Sequence, residues 1–204
     1  MKLYYAAGTC SLAPHISLRE AGLPFTLVRF DMKTRLLEDG APLESVNSKG
    51  YVPVLELDGG DGRLTEVSAI LQYIADQKPE AALAPPNGTL ARYRLQEWLS
   101  YLSTEIHKAF WPLFHEGCEP ERPFALERLT KRFGWIQAQL GERPFLFGGG
   151  FTVADAYLLT LLNWTRPAGI DLNTWPSLKA YRSRISERPS VQAALEAEGL
   201  RRRA

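Results

Sequence analysis

Few residues in this chain are equipped for chemistry, and they cluster in short segments. Cys10 stands in Gly8-Thr9-Cys10-Ser11, between a stretch of strand composition and one of helical spacing. A thiol at a helix N-terminus meets unpaired N–H donors and the positive end of the helix dipole, and both favour the nucleophilic thiolate. A free cysteine is as commonly a small buried hydrophobe, so both readings stand. Ser11 can donate a hydroxyl or cap the helix. The other cysteine, Cys118, is remote in sequence. The pair offers no local dithiol, no disulfide framework and no zinc-type spacing, so no metal is expected.

Val52-Pro53 is the second candidate. A residue before proline is pushed toward extended backbone. A cis bond there would hold the Val52 amide and carbonyl open to a peptide-like ligand, whereas a trans proline would simply open an edge strand. Thr65-Glu66-Val67-Ser68 is the third. N–H groups at a helix start bind a carboxylate, and Glu66 beside them can accept from an ammonium, so the pair suits the head of an amino acid. An ordinary first turn also favours Thr and Glu. The fourth lies on a long predicted helix, Thr89 to Phe114. Leu95, Leu99, Leu102, Ile106, Ala109, Phe110 and Leu113 form its core stripe. Ser100, Thr104, His107 and Trp111 form a separate stripe, which either lines a cleft or faces solvent. Pro112 should bend or loosen the helix just after His107.

Those segments need elements to carry them. Leu3 to Ala6 and Phe25 to Phe30 read as strands, and Ala13 to Ala21 between them reads as a helix, giving a βαβ unit. Val52 to Leu57 reads as a third strand. Asp58-Gly59-Gly60-Asp61-Gly62 signals a hairpin into Arg63 to Thr65, and Glu66 to Gln77 is helical. Pro79, Pro85, Pro86, Asn87 and Gly88 break all periodicity, as a linker does. Beyond them the patterns are helical: Pro123 to Leu140, a helix from Thr152, then Leu178 to Ile185 and Val191 to Leu200. Phe151-Thr152-Val153-Ala154-Asp155 fits a capping box, which gives Asp155 a structural role. His15 and His115 show no partner in the sequence. Gly148-Gly149-Gly150 lacks the spacing of a phosphate-binding loop.

The composition narrows the classes. The 204 residues are 45% hydrophobic and 23% charged, ordinary for a folded protein with a proper core. Lys and Arg number 24 against 23 Asp and Glu, a net charge of +1, so no global field draws nucleic acid or an anionic membrane. The one basic run, Arg201, Arg202 and Arg203, suits a solvated terminus. No stretch approaches a membrane span or a signal-peptide core. The expected location is the reducing cytoplasm.

In order along the chain, the segments resemble a cytosolic glutathione transferase over nearly the whole length. The bacterial beta class is the nearest likeness. It rests on Met1-Lys2-Leu3-Tyr4-Tyr5 leading into Cys10-Ser11-Leu12-Ala13, on Val46-Asn47 with Lys49-Gly50, on Val52-Pro53, on Thr65-Glu66, and on Thr104-Glu105 before His107-Lys108. The resemblance implies an α/β plus all-α chain: a thioredoxin-like domain over residues 1–80, then an all-helical domain over 88–204. It implies a cis Pro53, glutathione lying across the domain boundary as co-substrate, and Cys10 and His107 flanking the sulfur. Val52 would pair with the cysteinyl backbone. Glu66 and the N–H of Val67 would hold the γ-glutamyl head. Arg35 stands where the class commonly has a lysine for the glycyl end. Val67 removes a hydroxyl that the family usually has, with Ser68 the nearest replacement. Ser100 stands where the class often has an asparagine that reaches the partner subunit's ligand in a two-fold homodimer, and Thr104 would join the glutathione-binding residues. The implied activity is detoxification by conjugating glutathione to a small hydrophobic electrophile, with Phe110, Trp111, Phe114 and Trp164 as candidate pocket aromatics. Two further activities fit the same scaffold: thiol-disulfide exchange or peroxidase chemistry through Cys10, and non-catalytic ligand binding.

Overall fold

The computed structural model describes residues 1–60, 62–147 and 149–200; Asp61, Gly148, Arg201, Arg202, Arg203 and Ala204 lie outside the described residues. The first half runs β1 (Lys2–Tyr5), α1 (Leu12–Glu20), β2 (Thr26–Arg29), β3 (Val54–Glu56), β4 (Arg63–Thr65) and α2 (Val67–Gln77). The sheet order is β2-β1-β3-β4. β1 and β2 are parallel, as a βαβ crossover requires, and the hairpin β3–β4 is antiparallel. β1 pairs antiparallel with β3, setting Leu3 against Leu55. The period of two along each strand sorts the faces. Leu3, Tyr5 and Leu55 join the helix-covered core, while Tyr4 and Val54 pack beneath the segment that carries Phe30, Leu37 and Leu43. This is the thioredoxin-like arrangement that the resemblance implies.

The third strand is shorter than its apolar run suggests. It begins at Val54 and is hydrogen-bonded on both sides, so Val52 and Pro53 lead into an internal strand and not an edge. The Val52–Pro53 peptide bond is cis.

The elements of the second half among the described residues are helices: α3 (Leu90–Tyr101), α4 (Trp111–Phe114), α5 (Arg122–Leu140), α6 (Val153–Asn163), α7 (Pro176–Ser186) and α8 (Pro189–Ala197). The single helix expected from Thr89 to Phe114 changes its winding. Residues Leu102–His107 form a wide π turn and Lys108–Phe110 a tight 3₁₀ turn before α4 begins. Pro112 sits in the first turn of α4, where its missing N–H breaks no bond. The bend expected after His107 is taken up by these two turns.

α6 is buried from Val153 through Leu162, the signature of a central helix with no solvent face. One apolar cluster runs from Leu3, Leu12 and Ile16 in the first half to Phe110, Tyr157 and Leu161 in the second. The proline-bearing connection is also tied down. The Leu83 carbonyl accepts the Val153 amide at 3.0 Å. The buried Arg92 guanidinium donates to both Asp76 oxygens, at 2.9 and 2.8 Å, and to the Pro85 carbonyl at 3.2 Å. Such a bidentate pair fixes geometry as well as charge.

Asp155 is structural, as its place in the sequence suggests. Its fully buried carboxylate accepts the Thr152 amide and hydroxyl, both at 2.8 Å, the Leu146 amide at 2.9 Å and the Tyr181 hydroxyl at 2.8 Å. Asp155→Ala strips four buried donors of their acceptor. It should lower the unfolding free energy by about 3 kcal/mol or more, read as a shift of the urea midpoint; an unchanged midpoint would refute the role.

Candidate active site

Cys10 sits just before α1, half-buried. Its thiol donates to the Val52 carbonyl at 3.5 Å, which brings the first two sequence candidates together. The N-terminal position does not yield a thiolate. Burial dominates and pushes the thiol up to about 12; the backbone N–H groups of Cys10 and Ser11 and the charge of Lys108 pull the other way and lose. Ser11 does not cap α1. Its buried hydroxyl closes a ring with Ala6, donating to the carbonyl at 3.1 Å and accepting from the amide at 3.2 Å.

Glu66 precedes α2 with φ +68°, a left-handed conformation rare for a glutamate. Holding it costs on the order of 1 kcal/mol or more, and such strain clusters at functional sites. Its carboxylate Oε1 accepts from Lys49 Nζ at 2.7 Å and from the Tyr51 hydroxyl at 2.9 Å. The Lys49 hydrogen bond holds it below the usual carboxylate range despite partial burial. Lys49 also bonds the Thr65 hydroxyl at 2.9 Å. Val67 is buried at the start of α2, and Ser68 turns its hydroxyl to the Leu99 carbonyl at 3.4 Å. Ser68 is therefore directed at α3 and does not replace the hydroxyl that Val67 lacks.

Arg35 lies on an exposed loop at φ +63°. It donates to the Gly50 carbonyl at 3.1 Å and to Glu44 at 3.2 Å, with its guanidinium over the Phe30 ring.

His107 parts company with the stripe expected to hold it. Ser100, Thr104 and Trp111 stay exposed, whereas His107 turns inward toward α6. The wide winding of the π turn at Leu102–His107 breaks the 3.6-residue period at this point. His107 Nδ1 lies 2.8 Å from the Tyr157 hydroxyl, and the Trp164 ring stands edge-on to the imidazole with centroids 4.9 Å apart. Burial lowers the imidazole to about 4; Lys108 adds to that lowering and Glu66 opposes it. Trp164 also donates from Nε1 to the Gly8 carbonyl at 2.8 Å, tying this wall to the loop that carries Cys10.

The aromatic candidates divide. Phe110 is fully buried core, whereas Trp111 and Phe114 are 55% and 41% exposed. Phe114 stacks on Phe110 and meets Trp164 edge-on. The other histidines have partners that the sequence did not reveal. His15 is fully buried, with Nδ1 at 2.8 Å from Glu198 and Nε2 accepting from Arg19 Nε at 2.9 Å. His115 stacks on Trp111. Lys49, Tyr51 and Tyr157 were missed as site residues; only the nearness of Lys49 and Tyr51 to Val52 hinted at two of them.

Comparison with known proteins places this architecture. Residues 8–77 match the glutathione S-transferase N-terminal domain, and residues 97–189 match the glutathione S-transferase C-terminal domain. The chain belongs to the glutathione S-transferase family. It is 44% identical to glutathione S-transferase GstA of Escherichia coli O157:H7 over 98% of this chain and all of that one. A beta class glutathione S-transferase of Sphingomonas chungbukensis superposes with a TM-score of 0.94 at 50% identity, covering 98% of this chain and all of the other. A sphingomonad glutathione S-transferase complexed with glutathione gives 0.94 at 46% identity, with the same coverage. The likeness to bacterial beta-class enzymes spans both halves.

The shift at His107 fixes a pH dependence. The folded value, about 4, lies below the ordinary imidazole value of 6.5, so between them the unfolded chain binds the proton and the folded chain does not. This group's share of stability is intact above pH 6.5 and is lost as pH falls toward 4. An NMR titration should show His107 uncharged at pH 5.5; a midpoint near 6.5 would overturn this.

Proposed function

We propose that this protein conjugates glutathione to small hydrophobic electrophiles, with the tripeptide bound across the cleft between the two halves. One observation carries the reading: the Cys10 thiol meets the Val52 carbonyl in a cleft where the charges of Glu66 and Lys108 act on both Cys10 and His107. The ionised Glu66 would take the α-ammonium of the γ-glutamyl group, with the first N–H of α2, at Val67, taking its carboxylate. The backbone of Val52 beside Pro53 would pair with the cysteinyl unit, and Arg35 would reach the glycyl carboxylate. The sulfur would then lie between Cys10 and His107.

Catalysis on this scheme is pKa control and positioning. A protonated Cys10 can donate a weak hydrogen bond to a thiolate, and the Lys108 charge that opposes protonation of His107 also favours an anionic sulfur. Trp111, Phe114 and Trp164 offer the electrophile an apolar face. The raised Cys10 thiol supports conjugation over thiol-disulfide exchange, which needs the thiolate of the protein itself. We assign the protein to cytoplasmic detoxification, as a two-fold homodimer in which Ser100 faces the partner's ligand and Thr104 joins the glutathione-binding residues. The exposed Leu90 and Tyr93 on the same helix support that face. The domain limits at 1–80 and 88–204 belong to the same reading, supported by the change from mixed to all-helical backbone.

Titration calorimetry with glutathione tests the core of it. The wild type should saturate at one tripeptide per chain. Glu66→Gln should weaken binding by about 2 kcal/mol, roughly thirtyfold in Kd. Absence of saturable heat with the wild type would refute the function. Cys10→Ala should keep conjugating activity; its loss, with persisting glutathione affinity, would favour the redox reading. Sedimentation at micromolar concentration should give twice the chain mass, and a monomer would exclude the dimer.

A further inference from the structure

His107 borders the helical interior on one side and the cleft on the other, so the proton on its ring is set by what lies behind it. Behind it is Tyr157, fully buried on α6, with its hydroxyl 2.8 Å from Nδ1. A buried phenol must place its proton on an acceptor. The lone pair of an unprotonated imidazole nitrogen is a strong acceptor, and a phenol oxygen is a weak one. We infer that Tyr157 is a positioning residue for the reaction: its hydroxyl donates to His107 Nδ1, confines the ring proton to Nε2, and makes His107 a hydrogen-bond donor to the glutathione sulfur and not its base. This rests on the proposed function in one respect, that the sulfur lies on the Nε2 side.

The surroundings agree from every element packed on the pair. Burial, helped by the nearby charge of Glu66, pushes the Tyr157 phenol well above its usual value, so it keeps its proton. Ser103, on the π turn, is a further hydrogen-bonding neighbour of that phenol. On the imidazole, Lys108 opposes a second proton and Glu66 favours one, and burial decides for the neutral ring. Trp164 packs edge-on against the imidazole, with centroids 4.9 Å apart. With Nδ1 accepting and Nε2 already protonated, the ring has no site for the thiol proton. That proton leaves to water when glutathione ionises, and the Nε2–H stabilises the thiolate left behind.

The tautomer is read by long-range 1H–15N correlation of the imidazole signals in the ligand-free wild type, a measurement that needs no glutathione. The expected result is an unprotonated Nδ1 and a protonated Nε2 from pH 5.5 to 8. Tyr157→Phe removes only the hydroxyl and should give mixed tautomers. In the glutathione complex of that variant, the thiolate absorbance should titrate about one pH unit higher, roughly tenfold less thiolate below the midpoint, with little change in glutathione affinity. A proton on Nδ1 in the wild type overturns the inference. So does a Tyr157→Phe variant whose tautomer and thiol titration match the wild type. If that variant does not fold, the wild-type spectrum decides alone. If the wild type binds no glutathione, the proposed function falls while the tautomer is still settled by its own spectrum.

Discussion

The site depends first on how one peptide, Gly8, is gripped. Its carbonyl accepts from Trp164 on the C-terminal side of α6 and its N–H donates to Glu198 beyond α8. Both partners come from the other end of the chain, so the helical half helps place the loop that presents Cys10, alongside the Ser11 contacts to Ala6 at the end of β1. Gly8 has φ +73°, and a Cβ there would meet the Leu200 side chain at 3.6 Å. Only glycine takes that backbone conformation without strain. Glu198 holds a second partner, the buried His15, so one carboxylate pins both the loop and α1. A movement of α8 would be felt at the thiol.

That grip explains why the cleft keeps its own groups neutral. The loop before α1 leaves Cys10 half-buried, and the contact of α6 with the π turn leaves His107 half-buried. Each is a site where a helix terminus or a nearby charge could have produced an ion, and at each desolvation is the larger effect. The full charges sit nearer the rim, on Glu66, Lys49 and Lys108. A pocket built this way does not supply a nucleophile of its own. It supplies a poorly solvated place with fixed hydrogen-bonding groups, where an incoming thiol can be ionised by its surroundings.

What the sequence discloses is local, and what it hides is long-range. The βαβ unit, the β3–β4 hairpin and the Thr152-Asp155 cap are each decided by residues within a few positions, so composition and spacing suffice. The third strand was read too long, because apolar runs show burial and not hydrogen-bond pairing. The stripe holding His107 failed for a subtler reason. A period of 3.6 residues was carried through Leu102–His107, where the helix widens. Nothing in Leu-Ser-Thr-Glu-Ile-His announces a π turn, which packs against α6 in the folded chain. The partners of His15, Glu66 and His107 come from Glu198, Lys49 with Tyr51, and Tyr157, and only the tertiary fold brings them near. Residue type and spacing singled out Glu66 and His107 as candidates, and the family resemblance gave them roles at the ligand, but neither pointed to Tyr157.

On the proposed binding mode, the occupied state of Glu66 bears on how a γ-glutamyl head would be received. Its Oε1 already holds an ammonium, from Lys49, and a phenol, from Tyr51. An acceptor so engaged is ionised and oriented before ligand arrives, which removes much of the ordering cost of binding. The same engagement sets a competition, since a second ammonium must share the carboxylate or displace the first. Sharing is geometrically open, because a carboxylate offers about four lone-pair sites over two oxygens, and both intramolecular donors crowd onto Oε1. Oε2 is then the natural seat for the incoming ammonium. Two cations beside one carboxylate repel each other, which is tolerable here because Lys49 and Glu66 are both about half exposed and solvent screens them. The rim thus stays wet enough to exchange one charge arrangement for another, while the thiol end of the cleft stays dry enough to do chemistry.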